Sequence, residues 1–153
     1  MSAVQLTNFR EWYIIPCAPA FSLPNVCDSL TAWEKLNEQG AKVLSSIHLD
    51  NHDLDNESNQ INIVIQDFKK ILERMYDEYD KAVESTPDAP AIGLMRQCLN
   101  MYDQEYMVKE SIRSIVSESG FATQQHLTGC IALWKAEAYL CDELQEDIKN
   151  YTM

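Results

Sequence analysis

The side chains best spaced for chemistry are two histidines. His48 and His52 stand four residues apart, an interval at which two imidazoles on one helix share a metal, and Asp50, Asp53, Asp55 and Glu57 crowd the same segment. The rest of a metal motif is missing. There is no His-Glu-x-x-His, and the acidic alternation lacks the glycine and terminal glutamate of a calcium loop. The segment reads as an exposed acidic turn. A carboxylate-bridged di-iron bundle needs inward Glu-x-x-His pairs on two helices, and the chain contains none. Neither Gly-x-x-x-x-Gly-Lys-Ser/Thr nor Gly-x-Gly-x-x-Gly occurs, so the chain is not expected to bind or hydrolyse ATP by itself. Ser119 before Gly120 forms no Gly-x-Ser-x-Gly elbow, and His126 is placed for a capping or surface role. No catalytic residue, cofactor site or metal site is assigned, and the chain is read as a non-enzyme.

The five cysteines, Cys17, Cys27, Cys98, Cys130 and Cys141, are odd in number and contain no Cys-x-x-Cys, which fits neither a zinc ribbon nor a disulfide framework. Cys98, Cys130 and Cys141 fall at apolar positions of helical patterns, as small hydrophobes of a reducing compartment do. With 24 acidic against 12 basic side chains, the formal charge of −12 repels phosphate backbones and anionic lipid. Direct contact with nucleic acid or membrane is disfavoured, whereas a solvated acidic face remains open to a basic protein partner. Neither a signal peptide nor a membrane-spanning run is recognised, and an intracellular protein is expected.

The elements that position these residues follow from the prolines and the apolar spacing. Proline removes a backbone donor and breaks helices, and here it clusters at Pro16, Pro19 and Pro24 and again at Pro87 and Pro90. Residues 1–24, aromatic and proline-rich, are expected as an extended arm, and residues 25–153 as one helical domain. Its helices are predicted over 25–49, 58–85, 91–119 and 123–150, with Asn25, Ser58 and Thr123 as N-caps and Gly120, followed by Phe121, as a C-cap. Asn37 and Gly40 interrupt the apolar seam of the first helix. A polar residue there fixes register, and a small one lets another helix come close. The fold class is all-α: four long antiparallel helices forming an elongated bundle or paired coiled-coil-like hairpins. The hairpin layout would leave a groove for a partner's helices.

Aromatic side chains dominate protein interfaces, and the expected partner-binding residues are Trp33, Leu36, Trp134 and Tyr139. The function these features favour is that of an adaptor or scaffold subunit working through helix–helix contacts, with self-association open. The alternative is a structural coiled-coil subunit of a cytoskeletal or kinetochore assembly.

Two blocks of sequence carry a resemblance. Ala32-Trp33-Glu34-Lys35-Leu36-Asn37-Glu38-Gln39-Gly40, followed at a distance by Ile47, is similar to the opening helix of the cyclin-dependent kinase 2-interacting protein family, CINP. Leu99-Asn100-Met101-Tyr102, then Glu105, Lys109-Glu110, and Leu127 through Trp134 to Tyr139, resembles the C-terminal helices of that family. The two blocks cover about half of the chain, and Ala138 stands where the family pattern carries a proline. The resemblance implies a divergent, nuclear, non-catalytic helical protein linked to DNA replication and the DNA damage checkpoint through kinase association. It also implies a place beside an AIRIM-like helical partner in an AAA-type ATPase assembly that acts in replisome and ribosome-biogenesis proteostasis.

Overall fold

In the computed structural model residues 23–51 and 53–151 are described, residues 23–25, 149 and 151 by their backbone alone. His52 and most of the arm expected over 1–24 lie outside the described residues, as does the capping side chain of Asn25. The described chain is all-α. Helix α1 spans Leu23–Ser45 and begins ahead of the expected cap, with Pro24 in its first turn, where a missing N–H breaks no intrahelical bond. Helix α2 spans Asp55–Ser85 and starts one turn earlier than Ser58. Its start is set by Asp53, whose carboxylate accepts the Asp55 N–H at 3.0 Å, and by Asp55 and Glu57 at the positive end of the helix dipole.

Helix α3, Pro90–Ser114, opens on a proline at its first position and widens into a π turn over Ile115–Ser119. It stops at Gly120, whose φ of 73° suits glycine and whose N–H bonds back to the Ile115 carbonyl at 2.6 Å. Helix α4, Gln124–Ala136, starts as expected at Thr123. The Thr123 hydroxyl accepts the His126 N–H at 3.0 Å while the His126 imidazole accepts the Ala122 N–H at 3.2 Å, a reciprocal cap.

The last predicted helix is not continuous, which corrects the 123–150 assignment. After α4 the backbone turns left-handed at Glu137 (φ 46°), and helix α5 resumes at Asp142–Tyr151. No proline or glycine lies between, so the sequence signals no stop. Cys141, expected on the apolar seam, is exposed because it falls in this break, while Cys98 and Cys130 are buried.

The helices contact in a closed ring. Helix α1 packs on α2 and on α4 and α5, α2 packs on α3, and α3 completes the circuit against α4 and α5. The α2–α3 pair is antiparallel in constant register: Ser58 meets Ser117 at 2.7 Å, Asn62 meets Arg113 at 3.3 Å, and Tyr79 meets Arg96 at 3.0 Å. Each step down α2 is matched by an equal step up α3, as shallow crossing requires. The groove of an open two-hairpin layout is therefore filled by the chain's own α4 and α5. At the centre Trp33 lies 4.4 Å from Phe68 and 4.8 Å from Tyr102 between ring centroids, and Phe68 lies 5.9 Å from Trp134. Tilted and edge-on packing of this kind adds to the burial of the rings. Among the described residues no helix is long and apolar enough to cross a membrane.

Candidate functional site

The two residues that interrupt the α1 seam both receive Trp134. Gly40 lies against the indole so closely that a Cβ there would stand 2.6 Å from Cε2, inside the ring's van der Waals surface. One turn earlier, the Asn37 carbonyl accepts the Trp134 Nε1–H at 2.9 Å. A side chain as large as tryptophan can thus lie flat on α1 with its one polar atom satisfied.

The Asn37 side chain turns inward to a buried charge. Lys109 is 0% exposed, and its ammonium donates to Asn37 Oδ1 at 2.6 Å and to the Trp134 carbonyl at 2.9 Å. That carbonyl belongs to the last turn of α4, so the cation caps the negative end of the helix. The ammonium also lies 4.5 Å from the Trp134 ring centroid. Two carboxylates answer it: Glu105 Oε2 at 3.6 Å and Glu137 Oε2 at 3.5 Å. Glu137 in turn accepts the Trp33 indole N–H at 2.7 Å, and Glu105 Oε1 accepts the Tyr139 backbone N–H at 3.3 Å. Removal from water is the largest influence on both enclosed groups. It pushes Lys109 below the usual lysine range and Glu105 above the usual carboxylate range, each opposed by the attraction between them.

This cluster explains the break after α4. A left-handed non-glycine residue costs roughly 1–2 kcal/mol, and Glu137 is held there by Trp33 and Lys109, while Glu105 takes the N–H of Tyr139 beyond it. Sequence reasoning places Glu105 and Lys109 on a matching block without assigning them a role. The available signal was their i, i+4 spacing on a face otherwise occupied by Cys98, Tyr102, Ile112 and Val116.

Three of the four expected partner anchors are enclosed in the domain. Trp33 and Trp134 are 0% exposed, their rings and indole N–H groups engaged inside the domain, and Leu36 is almost as well covered. Burial removes them from the surface a partner meets. Tyr139 alone of the four is substantially exposed, at 51%, its backbone anchored to Glu105 and its ring free. Ile63 on α2, Met107 on α3 and Leu133 on α4 are sequence-unmarked apolar side chains of comparable exposure.

Beside the buried cluster lies a concavity of 360 Å³ whose lining includes Trp33, Glu34, Tyr102, Glu137 and Asp142. Glu137 reaches it, but Lys109 and Glu105, 0% and 1% exposed, do not, so a lysine with a lowered pKa has no route to an electrophile. Cys98, pushed up to about 12 by burial, is a poor thiolate for the same reason. His48 is exposed, and among the described residues no group of three His, Cys, Asp or Glu could hold a metal. Comparison of the chain with protein-family models, with curated proteins and with solved structures finds no match.

Proposed function

We propose that the chain is a non-catalytic helical adaptor that presents its outer helix faces to protein partners, and that it is a divergent relative of the CINP family. The observation that carries the first part is the complete enclosure of Lys109 and Glu105. Lys109, lowered by burial, and Glu105, raised by it, serve the packing of α1, α3 and α4, which leaves the helix surfaces as the working part. Those surfaces are largely charged, and on α4 and just beyond it they carry the exposed apolar side chains of Leu133 and Tyr139.

Support for the family reading comes from where its motif residues fall. Trp33, Asn37 and Gly40 of one block meet Glu105, Lys109 and Trp134 of the other in a single buried assembly. Motifs that fix a fold are what a divergent relative would retain. The helix break falls at Glu137 and Ala138, the place where the family pattern carries a helix-stopping proline. On this reading the partners are an AAA-type ATPase, a second small helical protein and a cyclin-dependent kinase, and the protein works in the nucleus.

Affinity purification of the tagged full chain, followed by mass spectrometry, tests the proposal. The expected result is recovery of an AAA-type ATPase together with a small helical protein, reduced by Tyr139→Ala or Leu133→Ala with the circular dichroism spectrum unchanged. Exclusive recovery of filament or spindle components would overturn it in favour of a structural coiled-coil subunit.

A further inference from the structure

On the outer side of α2, Ile63, Asp67, Lys70, Arg74, Glu78 and Lys81 recur at intervals of three and four and so form one stripe along the helix. From Asp67 to Lys81 the stripe borders the groove between α1 and α2. There a concavity of 620 Å³, lined in part by Ala32, Leu36 and Ile71, runs into a second of 330 Å³ through Ala32, Arg74 and Asp77. Ile63 continues the stripe beyond the groove and is 62% exposed.

The charges of this stripe are complementary to their own reversal. Asp67 and Lys81 stand seven residues to either side of Arg74, and Lys70 and Glu78 stand four to either side, each pair opposite in sign. From this relationship we infer that the α1–α2 groove is a homodimer interface, in which α2 of one copy lies antiparallel on α2 of a second about a two-fold axis at Arg74. Asp67 then meets Lys81, and Lys70 meets Glu78 with Asp77 beside it, each contact made twice. Ile63 falls against Ser85 and the aliphatic stem of Lys81. At the axis the two Arg74 guanidinium groups are flanked by two Asp77 carboxylates.

The groove is also where an acidic chain repels a second copy least. Lys35, Lys70, Arg74 and Lys81, four of the chain's 12 basic side chains, line the two concavities against five carboxylates, whereas the whole chain carries 24 acidic to 12 basic. Pairing within the chain does not use up this charge. Lys70 lies 4.0 Å from Asp67 and Lys81 3.8 Å from Glu78, both ammonium groups largely in water, and among the described residues Arg74 makes no ion pair. Residues 63–85 span about 33 Å, and two helices present a face about 20 Å wide, so the pair of copies would bury roughly 1,300 Å², near the lower bound for a stable interface. The dimer is accordingly weak and concentration-dependent. It goes beyond the adaptor reading and does not rest on it.

Sedimentation velocity of the full chain over a concentration series tests the interface. The expected result is a monomer–dimer equilibrium that added salt weakens. Asp67→Lys and Lys81→Asp should each weaken it by about tenfold or more, because each sets like charges together twice. The double exchange of Asp67→Lys with Lys81→Asp restores opposite charge across the axis and should recover the dimer. Asp67→Lys is the sharper single test, since it lowers the net negative charge and on charge alone would favour association. Lys135→Asp on α4 changes the net charge as Lys81→Asp does and should leave the dimer as it is. Ile63→Lys, which sets a cation against Lys81 of the second copy, gives an independent loss should a charge exchange fail to fold. A wild type that stays monomeric throughout the series overturns the interface, as do folded single variants that dimerise like the wild type, a folded double exchange that does not recover, or an equal loss in Lys135→Asp.

Discussion

Gly40 is the floor on which Trp134 lies: the indole crosses α1 where the side chain of any other residue would stand, and its N–H reaches the Asn37 carbonyl one turn away. The close approach of α4 to α1 depends on that absence of a Cβ. It makes a small residue on an apolar seam a packing requirement, which its helix propensity alone would not explain.

Gly40→Ala is therefore expected to destabilise the domain even though alanine favours helix, by the roughly 1–3 kcal/mol typical of overpacking. Trp134→Phe, which removes the atoms the new methyl would overlap, should relieve part of the loss. Urea denaturation of the two single variants and the double variant measures this. Losses that simply add would show that the Gly40–Trp134 contact does not set the packing.

Lys109 supplies a second coupled test. Lys109→Met leaves Glu105 and Glu137 facing one another without their cation, and breaking a buried pair in this way costs roughly 3–5 kcal/mol. Adding Glu105→Gln to Lys109→Met removes the more deeply buried of the two stranded carboxylates and should recover a substantial fraction. A double-mutant cycle by chemical denaturation reads the coupling. Zero coupling energy would mean that the ion pair is incidental to stability.

The pH dependence has a definite sign. Glu105 has its pKa raised in the folded protein by burial, so its contribution is fully present below the unfolded carboxylate pKa and is lost as pH rises through the folded value. Lys109, lowered by burial, contributes above the unfolded lysine pKa and loses that contribution as pH falls through its folded value. From pH 7 toward pH 5 the wild type should gain stability relative to Glu105→Gln, in which the side chain is neutral throughout. Urea midpoints of both proteins at several pH values give the difference. A constant difference across that range would show that Glu105 does not titrate as its burial requires.

Much of the fold was legible in the chain, for reasons visible at single residues. Pro90 and Gly120 bound the third helix, Thr123 opens the fourth, and Ile61, Ile65, Phe68, Leu72 and Met75 repeat at helical spacing and are all buried. Such signals are local, because a cap or an apolar stripe is defined within a few turns of one helix. The roles of Trp33 and Trp134 were not legible, since an aromatic residue at helical spacing reads alike as a core residue and as an interface anchor until something covers it. Here Phe68 on α2, Tyr102 on α3, and Gly40 and Asn37 on α1 cover the pair.

Proline placement and apolar spacing suffice to make the described chain helical, to turn particular helix faces inward, and to mark Asn37 and Gly40 as a special place on the first helix. Where the last helix breaks is set instead by contacts between distant segments. The residues from Glu137 to Cys141 favour helix on their own. They leave it because Trp33, Glu105 and Lys109, distant in sequence, bond to the broken backbone and its glutamate. A backbone conformation sustained by contacts from two other helices leaves no trace in local propensity.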